Sequence, residues 1–254
     1  MGEMQTKERL NRELFSQDFP AERPDAELLK RYREMACNYA RLENAVAVLS
    51  DMRSNVSYIY YGGFAHLLGL HRRGLSEEVS SIWEEAIFRL IHPDDLDEKH
   101  LQELCFFHFI KRQPKRLRSQ FYLASRLRMR TRTNNYIAVQ HRMFYILVPS
   151  HESMWLALCL YSPLTLEMPS PCVIVNSATG QLSELKLQDQ TGLLSDREKQ
   201  VLGLIDRGFT SKGIADMLSI SVHTVSRHRQ EILGKLQVKN SIEACRVAKV
   251  LHLI

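Results

Sequence analysis

Apolar residues recur along this chain with two different periods, and each change of period marks a new element. Between 25 and 43 they return every three or four positions, at Leu28, Leu29, Tyr32, Met35, Ala36, Tyr39 and Leu42, which is one face of a helix. That face fits either packing on the following domain or pairing with a second copy. Pro20 and Pro24 set it apart from a charged leader. Runs at 45–49 and 56–61 predict two strands around a turn at 51–55. Gly62-Gly63 breaks the second, and 64–70 predicts a short helix. Helices are predicted over 77–90 and over 96–110, the latter capped by Asp94 or Asp95. Three long strands follow at 119–131, 136–148 and 154–161, the first two joined through Asn134-Asn135, because Asn tolerates positive φ. After Pro169 and Pro171, strands at 172–175 and 182–187 flank the turn Asn176-Ser177-Ala178-Thr179-Gly180 and predict a hairpin arm; 188–192 then reads as a polar linker. The expected class is α+β, an antiparallel sheet with helices on one side, followed by an all-α domain of four helices.

In that last domain the period is helical throughout. Ser195-Asp196-Arg197-Glu198 is a cap with acids in the first turn, followed by Val201, Leu202 and Ile205 and a stop at Gly208. Thr210 or Ser211 caps a second helix that buries Ile214, Ala215 and Leu218. Ser219 and Ile220 then lead to Ser221, the cap of a third, 222–236. On this helix Val225, Ile232 and Leu236, with the stem of Arg229, share one stripe, while His223, Ser226, Arg227, Gln230 and Gly234 share the other side. Two short helices across a tight turn form a helix-turn-helix arrangement, whose second helix enters the DNA major groove. Arg and Gln carry the forks that read guanine and adenine. A fourth helix begins at 238–241 and carries Ile242, Ala244, Cys245, Ala248 and Leu251.

Arg126, Arg128, Arg130 and Arg132 share one parity and Leu123, Leu127 and Met129 the other, which places four cations on one face of a strand, with Arg118 and Arg142 as extensions of the patch. This is either a solvated face or a surface for an anionic partner.

Composition narrows the class. The 254 residues suffice for two domains, and a net charge of +5 is compatible with nucleic acid. The five cysteines lack any CxxC pair, which argues against a zinc site and a disulfide framework and for a reducing cytoplasm. No apolar run approaches ~20 residues, so no membrane span and no membrane partner are expected. The charged N-terminus does not read as a signal peptide. No nucleophile elbow, P-loop, metal triad or supported carboxylate pair is present, so no catalytic residue, no metal site and no enzyme are expected. A phosphorylated receiver domain needs alternating βαβ units with an acidic cluster, and 45–49 leads only to Asp51.

The motifs at 194–202, 208–215, 221–228, 232–238 and 240–244 resemble, in order and without gaps, the LuxR/NarL-type four-helix DNA-binding domain. The resemblance covers roughly 190–254. It implies that Ser226, Arg227 and Gln230 face bases, and that Lys212, Thr224, His223, His228, Arg229 and Lys235 contact phosphate or position the helix. It also implies a dimer seam at Ile242, Cys245, Arg246 and Lys249. The family usually has Glu at Gly213 and Lys at Ser226, so a weaker scaffold helix and a different operator are expected. The strand order of 45–168, with Ile91-His92-Pro93-Asp94-Asp95 before a helix, resembles a PAS sensor domain. In that family the segment is a connector, so His92, Asp94 and Asp95 are assigned scaffold roles. Such domains hold haem, flavin or a small ligand, or hold nothing; His66, His92, His100 and His108 are the candidate haem ligands, and no tightly bound cofactor is expected. The division expected is a helical segment at 1–44, a PAS-like domain at 45–168, a hairpin and linker at 169–193 and a helix-turn-helix domain at 194–254. The whole reads as a cytoplasmic homodimer that binds double-stranded DNA under control of a small-molecule or protein signal. An autoinducer-type receptor, or a PAS-like half that serves only protein contacts, stays open beside it.

Overall fold

A computed structural model describes residues 2–19, 26–70, 76–147, 153–185, 194–236, 238, 240–250 and 253–254. The chain divides into two compact units, one of Lys7–Leu185 and one that holds Lys186–Ile254. The linker expected at 188–192 lies outside the described residues.

The first unit opens with α1 (Gly2–Phe15), from Lys7 onward, and α2 (Ala26–Leu42). The charged leader is thus helical: Leu10 and Leu14, four apart, fall on one face, and both are buried. Strands β1 (Val46–Asp51) and β2 (Val56–Tyr61) pair antiparallel around Asn55, which takes φ 56°. Next come α3 (Phe64–Leu67), β3 (Ser76–Val79), α4 (Glu85–Phe88), α5 (Pro93–Arg112) and α6 (Lys115–Arg118), then β4 (Phe121–Arg130), β5 (Tyr136–Leu147), β6 (Met154–Pro163), β7 (Cys172–Asn176) and β8 (Leu182–Glu184). Among the described residues the strands form one eight-stranded sheet in the order β3-β2-β1-β6-β5-β4-β7-β8.

Three expectations change. The helix predicted over 77–90 is β3 followed by the one-turn α4, because Ser76–Val79 completes the free edge of β2. Helix α5 starts at Pro93 with His92 as its cap residue, so Asp94 and Asp95 lie in the first turn instead of capping it. The hairpin 172–184 is no separate arm: β7 pairs with β4 through Phe121–Ser125, so the sheet runs past the boundary expected at 168. Asn134 takes φ 62° at the β4–β5 turn, as its side chain suggests.

Helices cover both faces of the sheet, not one. Period two explains why. Ala47, Leu49, Leu156, Leu158 and Leu160 point to one side, where α2 lays Ala36 and Ala40 against them. Ser50, Met143, Cys159 and Tyr161 point to the other, where they meet Lys99 and Glu103 of α5. From Lys99 to Phe107 every residue of α5 is buried. Gly62 marks the corner where α2 meets β1 and β2: a Cβ there would lie 2.1 Å from the Ala40 carbonyl oxygen.

Among the described residues the second unit holds the helices α7 (Asp196–Asp206), α8 (Ser211–Leu218), α9 (Val222–Leu236) and α10 (Ser241–Val250). Val201, Leu202, Leu204, Ile214, Val225, Ile232, Leu236 and Ala244 form its core. Leu204 is buried where Ile205 was expected, and Leu218 is only partly covered.

Candidate nucleic-acid interface

The interface is built from the caps outward. Ser195 Oγ accepts from the Glu198 amide while Glu198 Oε2 accepts from the Ser195 amide at 2.6 Å, a reciprocal capping box at the head of α7. Gly208 ends that helix with φ 86°, a conformation that costs other residues steric strain. Thr210 Oγ1 accepts from the Gly213 amide at 3.2 Å and starts α8. The turn uses Ser219 at φ 53°, an L-residue in the left-handed region. Ser221 Oγ accepts from the Thr224 amide at 3.0 Å and starts α9. Every helix head in this motif is thus satisfied by a hydroxyl that the sequence supplies.

Two long cations then lock α9 in place, and a third joins α7 to α8. Lys235 Nζ lies 2.7 Å from both carboxylate oxygens of Glu198, tying the last turn of α9 to the first turn of α7. Glu198 is buried. Burial alone would raise its carboxyl, but the hydrogen bonds from Lys235 and Ser195 outweigh that and hold it low. Arg229 donates to Ser211 Oγ and to Ser241 Oγ, each at 3.0 Å, and so joins α9 to the heads of α8 and α10. Arg197 donates to the Leu218 carbonyl at the end of α8. The Glu198–Lys235 and Arg197–Leu218 links escaped sequence reading because their partners lie 37 and 21 residues apart.

What remains outside is the face the helical period selects. Val225, Ile232 and Leu236 are buried, whereas His223, Ser226, Arg227, Gln230 and Gly234 are exposed. Arg227 has 72 % of its side chain exposed and donates through Nε to Glu231 at 2.8 Å, one turn on; this raises its pKa further above the usual range. His228 is mostly covered, with Nδ1 3.4 Å from Glu231. Thr224 hydrogen-bonds Ser221 through its hydroxyl at 2.8 Å. Lys212 is exposed on α8 and makes no ion pair among the described residues. The expected set therefore divides. Ser226, Arg227, Gln230, His223 and Lys212 are presented outward, while Thr224, Arg229 and Lys235 are engaged within the unit.

The fourth helix divides too. Asn240 Oδ1 accepts from the Glu243 amide at 2.9 Å and caps α10. Ile242 is 85 % exposed, and Arg246 is exposed. Cys245 is buried against α7, with its thiol directed at the Leu202 carbonyl. Lys249 pairs with Asp206 at 2.7 Å.

In the first unit the arginine ladder is only partly a cationic patch. Arg126, Arg128 and Arg130 are exposed along β4, and Arg132 just beyond it. Arg128 is taken up by Asp95 and Asp94 at the head of α5. Arg142 pairs with Glu43, and Arg118 is buried, donating to the carbonyls of Gln113 and Lys111 at the end of α5. Among the histidines weighed as haem ligands, His92 packs on Tyr136 with ring centres 4.9 Å apart. His108 meets Glu13 at 2.5 Å. His100 is enclosed by Trp83 and Phe88, and burial, then Lys99, lowers its pKa to about 3.

A cluster that sequence reading missed lies between α5 and the sheet. Lys99 Nζ donates to Glu103 Oε1 at 2.5 Å, and Ser50 and Ser57 donate to Glu84 Oε1 at 3.0 and 2.5 Å. His141 is wholly buried, with Nδ1 3.2 Å from Ser125 Oγ and Nε2 3.9 Å from Glu103. The available signal was Lys99 and Glu103 four apart in an otherwise apolar stretch of helix, a pair that burial requires to be matched.

Comparison with known proteins agrees with this geometry at the C-terminal end. Residues 192–248 match the family of bacterial regulatory proteins called the luxR family, so the chain carries a luxR-type helix-turn-helix domain there. The transcriptional regulatory protein DesR of Bacillus subtilis is 46 % identical over 63 residues, 25 % of this chain and 32 % of that one. The oxygen regulatory protein NreC of Staphylococcus haemolyticus is 37 % identical over 65 residues, 26 % of this chain and 30 % of that one. The chain thus spans about a third of the length of these relatives. Among solved structures, a phage VqmA–DPO complex is 18 % identical over 89 % of both chains with a TM-score of 0.33. Escherichia coli SdiA is 17 % identical over 99 % of this chain and 98 % of that one with a TM-score of 0.28. Among the described residues, no helix is long and apolar enough to cross a membrane.

Proposed function

We propose that this protein is a sequence-specific, DNA-binding transcription regulator of the cytoplasm, acting as a homodimer and without enzymatic activity. The observation that carries the reading is the outward face of α9. It offers Ser226, Arg227 and Gln230 to a ligand, its acid Glu231 is neutralised by Arg227, and its backbone is clamped by Arg229 and Lys235. Such a helix enters the major groove as one rigid piece. Arg227 and Gln230 read base edges, and Lys212 and His223 meet phosphates. Thr224, His228, Arg229 and Lys235 are positioning residues.

Two apolar surfaces support a dimer. Ile242 beside Arg246 on α10 is one, and Met35, Tyr39 and Leu42, 40 to 83 % exposed on α2, are the other. The sheet unit, PAS-like in its strand order, is the regulatory half. An autoinducer-type receptor is favoured over a pure protein-contact module by one observation, the buried charged cluster of Glu84, Lys99 and Glu103, which a packing module has no need to keep.

The test is fluorescence anisotropy on a duplex the protein selects, compared with shuffled duplexes. Arg227→Ala is expected to reduce discrimination between operator variants by ~1–3 kcal/mol per lost base contact while leaving binding to shuffled DNA nearly unchanged. Unaltered preference among operator variants would contradict the role.

A further inference from the structure

The outer face of β4 holds more positive charge than its surroundings neutralise. Arg126, Arg128 and Arg130 stand on that face, while Leu127 and Met129 between them are buried on the other, and Arg132 follows just beyond the strand. All four cations are exposed. Arg128 is matched, with Asp95 2.5 Å and Asp94 3.4 Å from its Nη2. Arg126, Arg130 and Arg132 make no ion pair among the described residues. Alternate residues of a strand lie ~6.6 Å apart, so these charges repel one another along a row whose strand members span ~13 Å. The row is also held stiffly. β5 pairs with β4 from Tyr122 to Arg130. Beyond this ladder, the carbonyls of Pro171, Leu90 and Leu67 accept from the amides of Arg126, Arg130 and Arg132 at 2.9, 2.7 and 3.0 Å. Like charges fixed in this way repel at close range, and an anion from outside removes that repulsion.

The make-up of the face chooses among anions. A guanidinium fork matches phosphate oxygens as well as carboxylates. A specific protein partner needs a centre depleted of charge, with polar groups kept to the rim. This face reverses that order. Its centre is the Arg row, and the residues beside Arg128 and Arg126 on β5 are Ala138 and Gln140. Tyr136, opposite Arg130, adds an exposed ring at one end of the row and not at its centre. Duplex DNA requires no apolar centre. It carries one negative charge per ~1.7 Å of its axis, so a row ~13 Å long faces several phosphates at once.

We propose that the row from Arg126 to Arg132 binds the phosphate backbone of duplex DNA, as a contact of the sheet unit separate from α9 and indifferent to base sequence. The inference rests on the reading of the chain as a DNA-binding regulator. Its consequence is a division of tasks. The face of α9 discriminates among sequences, and the row adds affinity for any duplex, together with the salt dependence that phosphate contacts bring. Arg128 has a different part. Its fork is taken up by Asp95, so it braces the row against the head of α5 and leaves phosphate contact to Arg126, Arg130 and Arg132.

The experiment measures binding of the full chain to shuffled duplex DNA by anisotropy over a series of salt concentrations. Arg126→Gln/Arg130→Gln/Arg132→Gln removes the unpaired cations. The three sites are exposed, so the melting temperature is expected to stay unchanged. Loss of these phosphate contacts is expected to reduce the salt slope by ~2–3 and to weaken binding about tenfold at low salt. The same three sites changed to Lys keep their charge and are expected to keep most of the slope. The loss is expected again in a chain whose α9 face is blunted by Lys212→Ala/Arg227→Ala/Gln230→Ala, because the row does not act through that helix. Arg130→Glu serves as a second variant should the triple one melt early, and is expected to weaken duplex binding more than Arg130→Gln does. An unchanged salt slope in the triple Gln variant, or equal binding by Arg130→Glu and Arg130→Gln, overturns the proposal. So does poly-glutamate that binds through the row as tightly as duplex does, which would make the partner an acidic protein, or single-stranded DNA that binds through it more tightly than duplex. The two readings fail separately. A chain that binds no duplex at all sinks the regulator reading as well, whereas operator preference with a salt slope that ignores the row sinks this proposal alone.

Discussion

The two units handle charge in opposite ways. In the helical unit the cations that hold the structure are long side chains reaching polar partners near the surface, and Ser226, Arg227 and Gln230 are left exposed. In the sheet unit Lys99, Glu103, Glu84 and His141 are withdrawn from solvent altogether. An exposed charge costs little to keep and reads a large anionic partner. A buried one is stable only when matched, so removing one partner of the pair is costly. The contrast separates a surface that keeps its polar groups outward from an interior that holds its charges matched.

The largest expected effect lies in the interior. Lys99→Met alone leaves the Glu103 carboxylate buried and uncompensated and is expected to destabilise by ~3–5 kcal/mol in urea unfolding, whereas Lys99→Met/Glu103→Gln recovers most of that loss. Equal losses in the single and paired variants would show that the pair is not coupled. Next comes a pH effect at α1. Burial pushes the Glu13 carboxyl up, but its hydrogen bonds to His108 and Arg9 outweigh this and bring it from 4.5 to about 2. A depressed acid stabilises the fold above its unfolded value, so stability is expected to fall as pH drops from about 4.5 towards 2, and Glu13→Gln to flatten that slope. An unchanged slope in the variant removes Glu13 from the account.

Smaller effects belong to the recognition surface. If Lys212 meets phosphate and not base, as proposed, Lys212→Ala is expected to weaken binding to all duplexes alike and to reduce the salt slope by ~1. A sequence-selective loss would reassign it. The smallest concerns the scaffold helix. A Cβ at Gly213 would meet nothing nearer than 3.6 Å, so Gly213→Ala is expected to stabilise by up to ~1 kcal/mol in thermal unfolding, with operator preference unchanged. Destabilisation would mean that the site needs glycine.

These same differences explain what could be read from the residues. The faces of α9 and the caps Ser195, Thr210 and Ser221 were legible because each depends on neighbours within four positions. The apolar runs of the sheet were legible as strands for the same reason. The segment 77–90 misled because Ile82, Trp83, Ile87 and Phe88 mimic a helical spacing, while the partner that makes Ser76–Val79 a strand is β2, some twenty residues earlier. Helices on both sheet faces, the place of β7 beside β4, and the meeting of Glu84, Lys99, Glu103 and His141 all depend on contacts between distant residues, for which period and propensity give no signal. Lys235 and Arg229 show the limit at the site itself: their identity left phosphate contact and positioning both open, and their partners Glu198, Ser211 and Ser241 lie too far along the chain to be read from spacing.

The central claim is that the face of α9 reads sequence in duplex DNA. The most direct measurement is selection of the full-length protein against a pool of random duplexes at physiological salt, followed by sequencing of the bound fraction. The account predicts enrichment of one sequence with two-fold symmetry, lost with Arg227→Ala and kept with Lys212→Ala at weaker affinity. A bound fraction no different in sequence from the starting pool would contradict it.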